Sequence, residues 1–482
     1  MLNYDKIFKK GLITLVAVLI ALILFGVGIY FFSGFPRTMV NTNNINFSKN
    51  IGDLSWLSTS GNNIVDKKGE KVFLKGVNFG NWLLWEGCAY GILNCAGWPE
   101  KKLRAEMEKR MPEEKVDKFF DDIVSNYILP QDFQNVKNNG LNFVRLGFHY
   151  RYVKENELTV LDEAVQWAKE AGVYVILNMH AAPGAQAPAY FADSEGEILL
   201  WKEESYRQEY YRLWEILAER YRDEPAVAGY EVLNEPDAED GSQVTALYNN
   251  VIKKIRQIDN KHIIFLDGNH YAGDFSIFPE PLDPNAVYVF HDYIETLDGL
   301  RTNIGRQGYS AFSLKYNVPL MCNEFSIWQL PLFADFFLQN NINYAPWSYK
   351  GWDNPPPYVF FDKNNAWRQW IEELNKNHPT DFTKTTLHQM ANIVNASNLS
   401  DAAKADTLSI INGSSELSTK KEDLAILPKK YPGETNEFLA IRLEFSEIGK
   451  NAETAWLDGF TQSIMAMPTE EYNSLMLALR TN

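Results

Sequence analysis

The stretch LTVLDEAVQWAKEAGVYVILNMH, residues 158–180, joins an amphipathic helix to a strand and indicates the class of fold. Apolar side chains recur at helical spacing at Leu161, Val165 and Ala168, and Gly172 ends the helical pattern. An apolar run rich in Val and Ile follows at once and ends in polar residues. Because parallel strands need a crossover connection, this helix-then-strand unit is typical of a parallel sheet.

The same alternation repeats along the middle of the chain and predicts an α/β fold, a (β/α)8 TIM barrel. Eight candidate strands occupy residues 72–79, 142–148, 173–180, 227–235, 262–268, 286–293, 318–325 and 342–348. Helical patterns between them include residues 205–221, 243–258 and 332–340. A doubly wound open sheet is the structural rival, but no G-x-G-x-x-G follows an early strand, which argues against its dinucleotide-binding version.

The two ends of the chain differ from this middle. Residues 12–32 are almost wholly apolar, and about 21 such residues form roughly 30 Å of helix, enough to span a bilayer. Lysines precede the span, which predicts a signal anchor with a cytoplasmic N-terminus and the remaining body on the periplasmic or extracellular side. The alternative is a long signal peptide that is cleaved. The predicted organisation is an anchor (1–36), a tether (37–61), a barrel (62–375) and a helical extension of unknown role (376–482).

Composition restricts the function before any motif is considered. The 482 residues include 62 acidic and 46 basic side chains, and this formal charge of −16 disfavours a nucleic-acid partner, because phosphates would be repelled. The chain also contains 13 Trp, and Trp rings stack on flat ligands such as sugar rings or bases. Since bases are disfavoured, sugars are the leading class of ligand.

Two glutamates end predicted strands and point to the chemistry. One strand ends in LNEP, residues 233–236, and another ends in CNEF, residues 322–325. A charged residue after a buried strand is costly unless it serves a purpose. Breaking a glycosidic bond needs one carboxylic acid and one carboxylate, which Glu235 and Glu324 would supply. For either glutamate alone, the alternative is a salt-bridged strand end.

This arrangement resembles glycoside hydrolase family 5, the cellulase-type family of the 4/7 superfamily of retaining barrels. The resemblance covers about residues 62–375, and the positions that match the family pattern in strand order are Arg145, His180, Asn234, Glu235, His291, Tyr293, Glu324 and Trp347. It implies that Glu235 is the acid/base, that Glu324 is the nucleophile, and that the other six side chains contact the substrate or orient the two acids. The implied reaction is double displacement at a β-glucosidic bond.

Histidines near strand ends raise the question of a metal. His180 and His291 are expected to hydrogen-bond rather than to hold zinc, because no third close ligand or H-E-x-x-H spacing accompanies them. No metal and no cofactor are therefore expected. His149 and His270 also lie near strand ends, where they either border the cleft or belong to exposed loops.

A narrower resemblance concerns the substrate. The segment LKGVNFGNWLLWEG, residues 74–87, is similar to the family branch that includes the exo-β-1,3-glucanases. This implies a β-glucan or a related oligosaccharide as substrate, with Trp82, Trp85 and Glu86 as candidate residues of the sugar pocket. Core packing is the alternative for both tryptophans. Asn178 departs from that branch, which often has an acid at this position.

Two other functions use the same residues. A transglycosylase that remodels envelope glucan would differ only in whether a sugar or water intercepts the intermediate. A non-catalytic sugar-binding barrel would keep the fold without the reaction. Among the cysteines, Cys88 and Cys95 either close a small disulfide loop or stay as thiols, whereas Cys322 is expected to be buried.

Overall fold

The computed structural model describes residues 54–92, 97–155, 157–352, 359–377, 384–413 and 426–480. The predicted anchor at residues 12–32 lies outside these ranges, so it stays a prediction. Within the described ranges, no helix is both long enough and apolar enough to cross a bilayer.

Eight parallel strands form the central sheet and neighbour one another in chain order. After a hairpin of β1 (Leu57–Ser60) and β2 (Asn63–Asp66), these eight are β3 (Gly76–Asn78), β4 (Phe143–His149), β5 (Tyr174–Ala181), β6 (Val227–Glu231), β7 (Ile263–Asp267), β8 (Ala286–His291), β9 (Leu320–Glu324) and β10 (Ile342–Tyr344). Lys75, directly before β3, pairs with Tyr344 of β10, which closes the sheet. The predicted (β/α)8 barrel is confirmed, and each predicted strand overlaps an observed one.

Helices follow the strands around the outside of the barrel. They are α1 (Glu100–Glu108), α2 (Glu113–Tyr127), α3 (Pro130–Asn138), α4 (Thr159–Ala171), α5 (Leu199–Lys202), α6 (Glu204–Tyr221), α7 (Gly241–Arg256), α8 (Leu297–Arg306), α9 (Tyr309–Tyr316), α10 (Leu330–Gln339) and α11 (Ala366–Asn377). Gly172 ends α4 in a left-handed conformation, φ 69°, as its position in the sequence predicts. Two short strands, β11 (Lys350–Gly351) and β12 (Val359–Phe360), pair beside the barrel.

The hairpin closes the end of the barrel at which the strands begin. Leu57 and Ile64 are buried in one cluster with strand residues such as Phe143 and Val287. The backbone N–H of Thr59 also donates to the side chain of Asn285 at 2.8 Å. Leu57–Ser60 therefore belongs to the folded body, which corrects the predicted tether that extended to residue 61.

The C-terminal extension consists of helices α12 (Lys384–Ala396), α13 (Asp401–Gly413), α14 (Thr435–Ala466) and α15 (Thr469–Leu477). The first two of these helices and the start of α14 share an apolar core, which includes Val394, Ile411 and Phe438. The end of α14 instead packs on the barrel, where the Phe460 ring lies 5.6 Å from Phe119 of α2 and 5.3 Å from Trp370 of α11. The extension is thus in direct contact with the barrel helices.

The cysteines have separate outcomes. Cys322 is fully buried in β9, as predicted for a small residue in an apolar strand. Cys88 lies on a 3-10 turn, Gly87–Tyr90, that follows β3, and it forms no disulfide with a cysteine of the described ranges. Cys95 lies outside the described residues, so a disulfide between the two stays a prediction.

Candidate active site

The two predicted catalytic glutamates meet where the barrel strands end. Glu324 is the last residue of β9, and Glu235 follows β6. One oxygen of each carboxylate and a ring nitrogen of His291 all lie within 4.8 Å of one another. Retaining glycosidases hold their carboxyl groups about 5 to 5.5 Å apart, whereas inverting ones use about 6.5 to 9.5 Å. The spacing here fits direct attack by one carboxylate on the sugar.

Glu235 has an unusual backbone conformation. Its φ of 43° is left-handed, a region that a residue with a side chain seldom adopts. The carboxyl of Asp267, at the end of β7, accepts the Glu235 N–H at 2.9 Å. Strained backbone of this kind concentrates at functional sites, where the surrounding structure enforces it. The conformation takes Glu235 out of the sheet and directs its side chain toward His291.

Glu324 is held as an anion by two donors. Arg145 Nη1 donates to Glu324 Oε1 at 2.6 Å, and the Tyr293 hydroxyl donates to Oε2 at 2.8 Å. Burial opposes the ionisation of Glu324, but the positive charges of His291 and Arg145 outweigh burial and lower its pKa to about 2. At neutral pH, Glu324 is therefore a carboxylate, as a nucleophile must be.

The pKa of Glu235 is shifted in the opposite direction, above its ordinary value. Burial raises the pKa of Glu235, and the negative charge of Glu324 raises it further, against the opposing charges of His291 and Arg145. His291 Nδ1 lies 2.6 Å from Glu235 Oε1 and fixes that carboxyl in place. Two neighbouring carboxyl groups whose pKa values diverge in this way can serve as an acid and a nucleophile.

A fully buried arginine connects the site. Arg145 forms a bidentate pair with Glu231, in which Nε donates to Oε2 at 2.8 Å and Nη2 donates to Oε1 at 2.5 Å. The same guanidinium donates to Asn78 Oδ1 at 2.9 Å and to Asn234 Oδ1 at 2.6 Å. Such a bidentate, charge-assisted pair fixes the arginine in position, so that it can present Nη1 to Glu324.

Three side chains in the matched positions are suited to contact a sugar. Asn234 is fixed through its oxygen, while its Nδ2 is buried and has no hydrogen-bond partner among the described residues. Trp347 stacks on His180, with ring centroids 5.2 Å apart. Burial lowers the pKa of His180 to about 3, so the ring is neutral, and its Nδ1 lies 2.8 Å from Asn178 Oδ1.

Comparison with known proteins identifies the family. Residues 113–351 match the family described as Cellulase (glycosyl hydrolase family 5). The barrel of this chain belongs to glycosyl hydrolase family 5. The resemblance that the sequence predicted is thereby confirmed.

Two curated proteins and one solved structure resemble the chain in part. It is 34% identical over 252 residues to a β-xylosidase of Phanerodontia chrysosporium, covering 50% of this chain and 52% of that protein. It is 29% identical over 246 residues to the probable glucan 1,3-β-glucosidase A of Aspergillus fumigatus, covering 47% and 58%. The chain therefore spans about half the length of the curated relatives it matches. The solved rutinosidase from Aspergillus niger shares the fold, with a TM-score of 0.50 at 14% identity over 58% of this chain and 90% of that one.

Of the three residues predicted for the sugar pocket of this family 5 barrel, Glu86 lies near the catalytic pair, whereas Trp82 and Trp85 pack against other parts of the barrel. Glu86 is buried near the catalytic pair: burial, followed by the charges of Glu324 and Glu235, raises its pKa to about 8. Trp82 instead donates to a backbone oxygen of α2 and stacks on a tryptophan of α4. Trp85 stacks on Tyr90 at 4.7 Å within the core. Both rings pack against the outer helices or their neighbours, which favours the core-packing alternative. A contact of either tryptophan with the sugar stays a prediction.

The two remaining strand-end histidines do not contact the catalytic glutamates. His149 is buried, and its Nε2 lies 3.2 Å from Asp193 Oδ2. His270 is exposed on a turn after β7, where Nδ1 lies 2.7 Å from Asp237 Oδ1. His149 therefore supports a neighbouring loop, and His270 belongs to the outer rim of the barrel mouth.

Proposed function

We propose that this chain is a retaining β-glycosidase that cleaves β-glucosidic bonds by double displacement. Glu324 attacks the anomeric carbon while Glu235 donates its proton to the departing oxygen. Water then gives a proton to Glu235 and attacks the glycosyl-enzyme, which releases the sugar and restores both groups. The observation that carries this proposal is the pair of carboxyl groups, within 4.8 Å and with pKa values shifted in opposite directions.

The proposed substrate is a β-glucan or a β-gluco-oligosaccharide. Relatives named glucan 1,3-β-glucosidase and endoglucanase support glucose as the sugar unit. The buried Glu86 beside the catalytic pair also supports a sugar substrate, because its carboxyl group is a further polar partner for a sugar hydroxyl. A panel of β-1,3-, β-1,4- and β-1,6-glucans, with xylan for comparison and with product sizing, tests this choice. Faster turnover of xylan than of every glucan would contradict it.

Covalent labelling tests the mechanism directly. An activated 2-deoxy-2-fluoro-β-glucoside slows the second step, so the glycosyl-enzyme should accumulate on Glu324 and be found by peptide mass spectrometry. Glu324→Gln should abolish both the label and turnover. Glu163→Gln, at an exposed site on α4, is the matched control and should leave both unchanged. A label on another residue, or a fully active Glu324→Gln, would remove the basis of the proposal.

The role of Glu235 has its own test. Removing a general acid affects substrates with poor leaving groups most, since activated aryl leaving groups depart without a proton. For Glu235→Ala, we expect kcat/KM on oligosaccharides to fall about 10² to 10⁴-fold and kcat/KM on an activated aryl glucoside to fall much less. An equal loss on both substrates would contradict the assignment.

We also propose that residues 12–32 anchor the enzyme in a membrane, with the barrel on the periplasmic or extracellular side. The length of the apolar run and the lysines before it support this arrangement. The full chain should stay in the membrane pellet after alkaline carbonate extraction, while a chain without residues 1–36 should be released. A mature protein whose N-terminus lies after residue 32 would instead indicate a cleaved signal peptide.

A further inference from the structure

Asp267 is a buried carboxyl group that the proposed mechanism does not use. It is the last residue of β7 and has no exposed surface. Oδ2 accepts the backbone N–H of Glu235 at 2.9 Å and lies 3.7 Å from His291 Nε2. Its other oxygen, Oδ1, has no hydrogen-bond partner in the described part of the chain. One carboxyl group thus adjoins both the acid/base and its histidine neighbour.

Glu235 is held at both its backbone and its side chain. The backbone of Glu235 is fixed by Asp267, and its carboxyl is fixed by His291 Nδ1 at 2.6 Å. The opposite nitrogen of that ring, Nε2, is buried beside Asp267. Asp267 therefore limits both the conformation of Glu235 and the position of the ring that contacts it.

The backbone of Glu235 needs such a restraint. An L residue with φ 43° lies in a conformation of higher energy than ordinary strand or helix backbone. A buried N–H without an acceptor adds a desolvation penalty of about 1 to 3 kcal/mol. If Asp267 were removed, the chain at Glu235 would relax toward ordinary backbone and would move the carboxyl away from the departing oxygen.

We propose that Asp267 is a positioning residue for the acid/base, because its carboxyl group holds Glu235 in the left-handed conformation that aims the acid at the glycosidic oxygen. The hydrogen bond needs only an acceptor oxygen, which both the acid and the carboxylate provide. Burial, together with the nearby charge of Glu231, raises the pKa of Asp267 well above its usual value, and the acceptor is kept in either state. The inference rests on the retaining mechanism proposed above.

The test uses leaving groups, because only a misplaced acid discriminates between them. In the full chain, Asp267→Ala should lower kcat/KM on oligosaccharides at least tenfold more than on an activated aryl glucoside. Asp267→Asn keeps an acceptor oxygen of the same reach and should restore kcat/KM on both substrates to within about threefold of wild type. Asp267→Ser, whose oxygen is too short to reach the Glu235 N–H, should behave like Asp267→Ala and replaces that variant if it does not fold.

A matched control separates positioning from general stability. Asp283 is also a buried carboxyl, but it pairs with Arg256 at 2.8 Å. It lies just before β8, at the end of the barrel where the strands begin, whereas the catalytic residues lie where they end. Asp283→Ala should lower the melting temperature without any discrimination between leaving groups. Equal losses on both substrates in Asp267→Ala or Asp267→Ser, or an Asp267→Asn as impaired as either, would overturn the inference.

The outcome for Glu235→Ala distinguishes this inference from the function on which it rests. If Glu235→Ala discriminates between the leaving groups and Asp267→Ala does not, only the role of Asp267 fails. If the wild-type chain hydrolyses no β-glucoside, or if Glu235→Ala loses both activities equally, the proposed function itself fails.

Discussion

At the residue scale, Tyr293 is one of the groups that keep Glu324, the proposed nucleophile, ionised, and its hydroxyl can be removed by a single substitution. Tyr293 donates to Glu324 Oε2 at 2.8 Å and belongs to the loop directly after β8. The hydroxyl stabilises the carboxylate form of Glu324, so the loss of this hydroxyl should raise the pKa of Glu324 above its present value of about 2. A hydrogen bond to a charged group contributes about 1.5 kcal/mol or more, so its loss should raise the pKa of Glu324 by about one unit.

For Tyr293→Phe, the acidic limb of the kcat/KM profile should therefore move to higher pH by about one unit. The sign follows because activity requires ionised Glu324 and is lost as the pH falls through its pKa. Tyr316→Phe removes a hydroxyl that donates to the backbone oxygen of Pro279, away from the two glutamates, and should leave the profile unchanged. An unmoved acidic limb in Tyr293→Phe would mean that Arg145 and His291 alone determine the charge of Glu324.

The sequence predicted the pairing of Glu235 and Glu324 better than the residues that support them. Strand-end position and residue type indicated that these two carboxyl groups would meet, and the structure brings them together. Their catalytic roles stay a proposal. Glu231 and Asp267 escaped notice, although Asp267 ends an apolar run and Glu231 is a charged residue within another. The same argument about costly buried charge applies to them and could have found both. The two pocket tryptophans could not be placed, because a Trp beside a strand packs equally well inward or outward until its tertiary neighbours are known.

At the element scale, the segment after β3 passes so close to Trp347 that Gly80 has no room for a side chain. A Cβ added at Gly80 would overlap the indole of Trp347, the ring that stacks on His180. Gly80→Ala should therefore push Trp347 aside and raise KM at least tenfold. Overpacking of this kind usually lowers stability by about 1 to 3 kcal/mol, so the variant should still fold.

The matched control is Gly305→Ala on α8, where an added Cβ would meet no atom of the described structure within 4 Å. It should leave KM unchanged and should not lower the melting temperature, since alanine favours helix over glycine. KM on a β-glucoside and the thermal melt of each variant provide the two measurements. An unchanged KM for Gly80→Ala would show that Trp347 does not contact the sugar.

Element boundaries depend on tertiary contacts that periodicity does not contain. The fourth predicted strand extended to residue 235, whereas β6 ends at Glu231. The apolar pattern continues through Leu233, but the N–H of Glu235 leaves the sheet for the side chain of Asp267. The hairpin before the barrel was missed for a different reason: Leu57–Ser60 and Asn63–Asp66 are short and mostly polar, and they become strands by packing under the barrel.

At the scale of the whole molecule, contacts connect the C-terminal extension to the turn Gly87–Tyr90, which directly follows Glu86. Phe460 of α14 packs on Phe119, which lies 6.3 Å from Trp367 of α11. Trp367 Nε1 in turn donates to the backbone oxygen of Tyr90 at 2.9 Å, in the turn that follows Glu86. Amphipathic helical patterns predicted the helices of the extension, but they contain no information about which surface those helices cover.

This chain of contacts makes Phe460 a sensitive position. Phe460→Ala should destabilise the full chain by about 3 to 5 kcal/mol, because truncating a buried aromatic side chain leaves a cavity among its neighbours. Leu443→Ala, on the same helix but 71% exposed, should change stability by less than about 0.5 kcal/mol. Denaturant unfolding of both variants provides the comparison of stability. The KM of Phe460→Ala shows whether the loss of packing also disturbs the turn that follows Glu86. If Phe460→Ala unfolds at the wild-type denaturant concentration, the extension contributes nothing to the barrel, and its contact with α2 is incidental.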